Sequence, residues 1–269
     1  MLPSLSNLFQ RRPLKRPGKL HIELQNNAVT ATLFAPRSER IMWDKTWAIQ
    51  SHLDTTCFQH IAKDLDQLIG RSAPDINVIL PDPMVRHIRF EVDTLPEKAT
   101  DIEALIQWRV REDFFVDSEQ SSLDYTIDNL DDKKNISVYI ADQEWLHQFE
   151  ESFLQYNLLI SAYYTSSLYG LSQSNNPAWN GFMLNIADDF ISYGYIKDGK
   201  HVQVLESQYV DADDITARYQ FLQRGRREFA AIQLHTPASS EQGMIKLGSD
   251  VMDAALLELF PDYPLQAAR

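Results

Sequence analysis

Leu20-His21-Ile22-Glu23-Leu24-Gln25-Asn26-Asn27-Ala28-Val29-Thr30-Ala31-Thr32-Leu33-Phe34 reads as two short β-type runs around a tight Asn-Asn turn. Working outward, Ile41–Ile49 supplies a third strand. Phe58, Ile61, Ala62, Leu65, Leu68 and Ile69 then recur at i, i+3, i+4 and i+7, the spacing of an amphipathic helix. Asp54 or Thr55 can cap its start, and Gly70 suits its end. Ile76–Leu80 is a short continuous apolar run, the pattern of a strand buried on both faces, and Pro81-Asp82-Pro83 stops it. Residues 20–80 therefore predict strand, turn, strand, turn, strand, helix, strand.

The same order recurs in residues 181–234. Phe182, Leu184 and Ile186 alternate in a first strand, followed by the turn Ala187-Asp188-Asp189. Phe190–Ile196 and Val202–Val210 flank Lys197-Asp198-Gly199-Lys200, whose Asp-Gly is a hairpin signal. A helix is expected from about Asp213 to Gln223, with Ile215, Tyr219 and Leu222 on one face, and Phe229–Leu234 as the last strand. Val251–Phe260 is expected to close the chain as a helix ended by Pro261. The expected fold class is α/β, a duplicated βββαβ arrangement similar to the actin-like (RNase H-like) fold.

Residues 84–141 interrupt the repeat as a β-α-β-β insert. Met84–Val92 is strand-like, and Thr100-Asp101-Ile102-Glu103 has the form of a capping box. Ile102, Leu105, Ile106 and Val110 share one face of the helix that follows. Leu123–Ile127 and the alternating Ile136, Val138 and Ile140 make two strands around Asp131-Asp132-Lys133-Lys134. A helix from near Asp142 carries Trp145, Phe149 and Phe153, then Leu158–Tyr163 reads as strand and Thr165–Leu171 as a short helix. The polar loop Gln173–Asn180 marks a boundary. The expected organisation is a basic tail at 1–19, a first lobe at 20–83, the insert at 84–141, the rest of that lobe with its connection at 142–180, and a second lobe at 181–269.

A net charge of −13 argues against a general nucleic-acid binder, since a phosphate backbone would be repelled. The single cysteine, Cys57, excludes an internal disulfide framework, fits a reducing compartment, and is expected on the buried face of its helix. No uninterrupted apolar run approaches the roughly 20 residues needed to cross a bilayer, and the N-terminus lacks a signal-peptide core. The expectation is a cytoplasmic protein. Arg11, Arg12, Lys15, Arg16 and Lys19 form a basic run behind Leu2, Leu5, Leu8 and Phe9, either a solvated tail or a contact for anionic lipid or a partner.

Val78–Asp82, Arg89–Pro96 and Glu103-Ala104-Leu105-Ile106-Gln107-Trp108-Arg109, followed by Leu123-Asp124-Tyr125, resemble the PilM/MshI group of bacterial pilus-assembly proteins. The cytoplasmic domain of the type II secretion protein GspL is similar in plan. The likeness is specific over about residues 78–125 and otherwise rests on the succession of elements. It implies an actin-like fold with an inserted subdomain, as in FtsA. It also implies a non-enzymatic scaffold of a type IV pilus or type II secretion assembly, in the cytoplasm at the inner face of the inner membrane. The implied partners are a bitopic, PilN-like membrane protein whose cytoplasmic peptide lies in a groove between the insert and the first lobe, an assembly ATPase or platform protein, and neighbouring copies. Membrane association would run through those partners. MshI and GspL continue into a transmembrane helix, so the likeness here is to the PilM-like arrangement or to a shortened piece of a longer chain.

In the actin-like fold the first turn of each copy approaches phosphate with backbone amides, and glycine permits that approach. Here those turns contain no glycine. Glu23 stands near the place of a metal-holding carboxylate and Gln25 at that of a glycine; Asn185 and Ala187 hold the matching places in the second copy. Asp188 would face phosphate with a like charge. These positions therefore form a degenerate cleft, with no catalytic residue, metal or cofactor expected. The alternative is an actin-like ATPase or small-molecule kinase with unusual phosphate loops, using Glu23 and Asp188 as metal carboxylates. A third reading is a regulatory or structural protein that keeps the fold for something unrelated. Candidate partner contacts are Trp108, Phe114 and Phe115, which lie partly off the apolar stripe of their helix, and the cations Arg218, Arg226 and Arg227. Each set has a plain structural alternative: the aromatics close the insert's own core, and the arginines favour a helix C-terminus.

Overall fold

A computed structural model describes residues 18–36, 38, 40–70, 74–117, 119–130, 133–173, 180–197, 201–211, 213–233, 242–248 and 265–266. The basic run at 11–16, the Asp198-Gly199 turn and the expected helix Val251–Phe260 lie outside these residues. The chain packs as two units, one formed by residues up to 78 with 149–163, the other by 79–148 with the residues from 164 onward.

The first copy of the repeat forms β1 (Lys19–Leu24), β2 (Ala28–Phe34), β3 (Ile41–Ala48), α1 (Phe58–Ile69) and β4 (Asp75–Leu80). With β8 (Ile160–Thr165) they give a sheet of order β3-β2-β1-β4-β8. Alternation decides the core face: Leu20, Ile22 and Leu24 of β1 and Val29, Ala31 and Leu33 of β2 are buried. Helix α1 buries Phe58, Ile61, Ala62, Leu65 and Ile69. Each large apolar side chain so buried contributes on the order of 1.5–3 kcal/mol. Asp54 caps the 3-10 turn Thr55–Cys57 that leads into α1, accepting from Thr56 N. Gly70 ends α1 at φ 62, donating its N–H to Asp66 O, where a side chain would be strained. Cys57 lies in that leading turn and is half-buried, not on the buried helix face; its thiol donates to Asp54 O at 3.1 Å.

The insert comprises β5 (Val85–Val92), α2 (Ala99–Phe114), β6 (Ser121–Leu130) and β7 (Lys133–Asp142), in a sheet of order β5-β7-β6. Ile88, Ile106, Val110, Ile136, Val138 and Ile140 form its core. The capping box does not form. Helix α2 begins at Ala99 after Lys98, which makes no side-chain cap bond, and Lys98 O takes the amides of Asp101 and Ile102. Thr100 is therefore already inside the helix, where its geometry no longer suits a cap. Asp142 does cap α3 (Gln143–Leu154), accepting from Trp145 N at 2.8 Å. Helix α4 (Ser166–Gln173) follows β8.

The second copy forms β9 (Asn180–Ile186), β10 (Phe190–Lys197), β11 (His201–Tyr209), α5 (Ile215–Gln233), β12 (Gln242–Gly248) and β13 (Leu265–Gln266), in the order β11-β10-β9-β12-β13. One expectation fails here. Helix α5 does not stop near Gln223; it runs to Gln233 through the segment expected as the last strand, and β12 takes that role, parallel to β9. A short apolar run does not by itself separate strand from helix. Gly225, inside this helix, is a packing gap, because a Cβ there would lie 2.8 Å from the Tyr193 ring. The bare backbone lets α5 pass directly over β10.

Candidate functional site

The repeat is visible in the hydrogen bonds of its two turns. Gln25 N donates to Ala28 O at 2.8 Å, and Ala187 N donates to Phe190 O at 3.0 Å. Asn27 O takes the amide of Ile49, the residue after β3, at 2.9 Å; Asp189 O takes that of Val210, the residue after β11, at 3.0 Å. Glu23 is half-buried, and its carboxyl is held above the usual range by desolvation, opposed by a hydrogen bond with Gln25.

The second turn is closed around a cation. Arg218, on the first turns of α5, is only 1% exposed. Its Nε donates to Asp211 O at 3.0 Å, and its Nη2 to Ala187 O, Asp188 O and Val210 O at 2.7, 2.8 and 3.0 Å. Asp214 Oδ1 caps α5 through Ala217 N at 2.9 Å, fixing the helix start that delivers this arginine. A phosphate-holding turn converges N–H groups on an anion. These four carbonyls instead converge on the protein's own guanidinium.

A second buried polar group lies in the same unit. Asp82, between Pro81 and Pro83, is 1% exposed. Its Oδ1 accepts from Ser167 N at 2.8 Å. Its Oδ2 accepts from the hydroxyls of Ser167 and Ser192, and from Asn185 Nδ2 at 3.2 Å. One carboxylate thereby ties the end of β4 to α4, β9 and β10. Asn185, a predicted cleft residue, is buried in this knot. With its acceptor sites taken and no exposure, Asp82 is built to hold structure.

Pro83 follows Asp82 directly, and with Val85 it borders a groove of about 620 Å³. It is lined by Val85, Arg86, His87, Ile88 and Arg89 of β5, by Val204, Leu205, Glu206 and Ser207 of β11, and by Phe114. His87 lies 5.1 Å from the Tyr139 ring, with its Nε2 buried and unpaired; burial, then Arg89, pushes its pKa down to about 4. Burial, then Glu228, pushes the Glu206 carboxyl up, while Arg224 and Arg86 oppose the shift.

Of the predicted partner residues, Phe114 reaches this groove while packing against the insert core, 6.3 Å from Phe90. Trp108 (48% exposed) and Phe115 (89% exposed) stand on the insert surface and do not line it. Arg226 and Arg227 are exposed on α5. Arg218 is closed to any partner, because its charge is spent on the second turn. Sequence reasoning missed Asp82, whose signal is an acid locked between two prolines at the end of a buried strand, and it missed the groove, which no local pattern marks.

No protein-family model matches the chain, and no curated protein matches it. Solved structures do. The PilM-PilN type IV pilus biogenesis complex matches at a TM-score of 0.74 with 13% identity, over 94% of this chain and 88% of the other. The cytoplasmic domain of EpsL, an inner-membrane component of the Vibrio cholerae type II secretion system, matches at 0.55 with 10% identity, over 93% and 88%. A Bacteroides thetaiotaomicron protein with an actin-like ATPase fold matches at 0.53 with 12% identity, over 94% and 91%. The chain has the actin-like fold that residues 20–80 and 181–234 predict.

Proposed function

We propose that this chain is a non-enzymatic scaffold of a type IV pilus or type II secretion assembly, working in the cytoplasm at the inner membrane. Its β5–β11 groove would take a cytoplasmic peptide of a PilN-like membrane partner, on the side of the insert next to the second copy of the repeat and not the first-lobe side that the resemblance implies, and its other faces would meet the assembly ATPase or platform protein and neighbouring copies. The observation that carries this reading is the guanidinium of Arg218 inside the second turn of a fold that otherwise follows PilM. A phosphate would have to displace that guanidinium's four carbonyl partners or sit against Asp188 and Asp189.

Two titrations of the full chain test it. Thermal unfolding with millimolar Mg-ATP is expected to show no midpoint shift, because only a ligand of the folded state raises it. N-terminal cytoplasmic peptides of bitopic pilus and secretion proteins, titrated by calorimetry, are expected to include one that binds. A magnesium-dependent shift lost in Asp188→Ala would replace the scaffold with an ATPase.

A further inference from the structure

Building on the scaffold reading above, in which neighbouring copies meet, we propose that copies of this chain associate through two helices. The exposed face of α2 in one copy docks antiparallel on the exposed face of α5 in another, with Asp101 against Arg226 and Trp108 against Tyr219.

Both helices belong to the same packed unit. Helix α2 turns Ile106 and Val110 into the insert core. By the helical period its opposite side carries Asp101, Ala104 and Trp108, all exposed, and Phe115 follows at the helix end. Arg109, paired with Asp113, lies 5.6 Å from the Trp108 ring, which orders the indole without burying it. Helix α5 buries Arg218, Phe221 and Leu222. It leaves Ile215 (56% exposed), Tyr219 (40% exposed) and Arg226 on one outward stripe. Single exposed apolar residues are ordinary on a protein surface. Two aromatic stripes that end in opposite charges are a matched pair, and Trp, Tyr and Arg are the residues interfaces use as anchors.

Charge and spacing define the occupant. Residues 84–141 carry thirteen acids against seven bases, whereas α5 carries four arginines against one glutamate. Glu112 and Asp113 are already paired with Arg111 and Arg109. Asp101 and Arg226 have no ion-pair partner among the described residues. Seven positions separate Asp101 from Trp108, and seven separate Tyr219 from Arg226, about 10 Å along either helix. Antiparallel docking therefore satisfies both pairs at once and places Ile215 towards Phe115. It also sets the two helix dipoles against each other favourably. Parallel docking of Trp108 on Tyr219 would leave Arg226 beside Phe115 and Asp101 beyond the start of α5. A net charge of −13 repels copies at long range, so contact needs a local match of this kind. Both faces occur on one chain, so the occupant of each is the other face of a second copy. One helix pair buries less than a standard interface, which makes the association weak and concentration-dependent.

The test is sedimentation velocity of the full-length chain over a concentration series, with Asp101→Arg, Arg226→Glu and their equimolar mixture. The wild-type chain is expected to sediment faster as its concentration rises. Each variant alone sets like charges together and is expected to need about tenfold or more higher concentration to associate. In the mixture every contact between unlike copies is again opposite in charge, so association returns, which a folding defect could not do. A wild type that stays monomeric up to about 1 mM would overturn the inference. So would variants that associate like the wild type, or a mixture that stays monomeric. Peptide titration of the same chains separates this contact from the reading it builds on. Peptide binding without self-association leaves the scaffold standing and removes the α2–α5 contact. Restored association in chains that bind no peptide keeps the contact and removes the groove's role.

Discussion

Arg218 Nη2 stands 2.7 Å from the carbonyl oxygen of Ala187, so the second turn of the repeat is closed on a guanidinium of the chain itself. The guanidinium donates to the main-chain oxygens of Asp211, Ala187, Asp188 and Val210, whose dipoles oppose its charge. Arg218→Ala leaves those carbonyls buried and is expected to destabilise the chain by about 2–4 kcal/mol in urea unfolding. Arg218→Lys is expected to recover only a minority of the loss, because an ammonium cannot reproduce the planar fork. A neutral outcome for either variant would show that the turn does not depend on its internal cation.

Asp82 and its donors act as a unit. Asp82→Asn turns one acceptor into an NH₂ group that faces N–H and O–H donors, at an expected cost of about 2–3 kcal/mol. Ser192→Ala removes a single hydroxyl and is expected to cost about 1 kcal/mol. The double variant should cost less than the sum, a coupling that a double-mutant cycle reads directly. Pro83, next in the chain, and Val85 border the groove. Asp82→Asn is therefore also expected to weaken peptide binding, whereas Lys45→Ala, which breaks an ion pair with Asp64 in the other unit, is not.

Phe115 is an 89% exposed aromatic in the left-handed region at φ 53, the position after α2 where glycine is the usual residue. That conformation costs a non-glycine residue about 1–2 kcal/mol. Phe115→Gly is expected to raise stability by about 0.5–1 kcal/mol once the added freedom of the unfolded chain is subtracted. If the side chain serves as a contact for an assembly partner, the same change lowers capture of that partner while the melting midpoint rises. A variant that melts later and retains full partner binding would remove Phe115 from the interface.

The parts of the fold that were legible in the sequence are those where one residue type has one physical use. Alternation in Leu20–Phe34, the 3.6-residue stripe of α1 and the glycine at position 70 each point to one local geometry. The last strand of the second copy was not legible. Its expected segment is apolar and continues the helix beyond Gly225, which serves as a packing gap against Tyr193. Glycine's permissiveness and its lack of bulk look identical in sequence, and only the facing ring distinguishes them. That the turns lack glycine was legible, but the guanidinium at the second of them was not. Arg218 lies some thirty residues beyond Ala187 and Asp188 in a basic stretch that resembles a solvated surface. The Asp82 knot joins residues separated by 85–110 positions, and pairings of that range leave no local pattern.

His87 supplies a pH test of the groove. Burial first, and then Arg89, lower its folded pKa from 6.5 to about 4. Between these values the unfolded chain binds a proton that the folded chain refuses, so stability rises with pH across that window. The contribution of neutral His87 is complete above about pH 6.5 and is lost as the pH falls towards 4. Carboxylates titrate near the lower end, so the informative quantity is a difference. Urea midpoints of the wild-type chain minus those of His87→Phe should be constant above pH 7 and fall steadily from pH 6.5 to 4.5, since phenylalanine keeps the ring against Tyr139 and takes no proton. The acid sensitivity should shift if a bound peptide supplies an acceptor to the unpaired Nε2, because a hydrogen bond to the charged form raises the imidazole pKa. A flat difference between pH 7 and 4.5 would mean that the His87 side chain is solvated, and that the groove is open where β5 meets it.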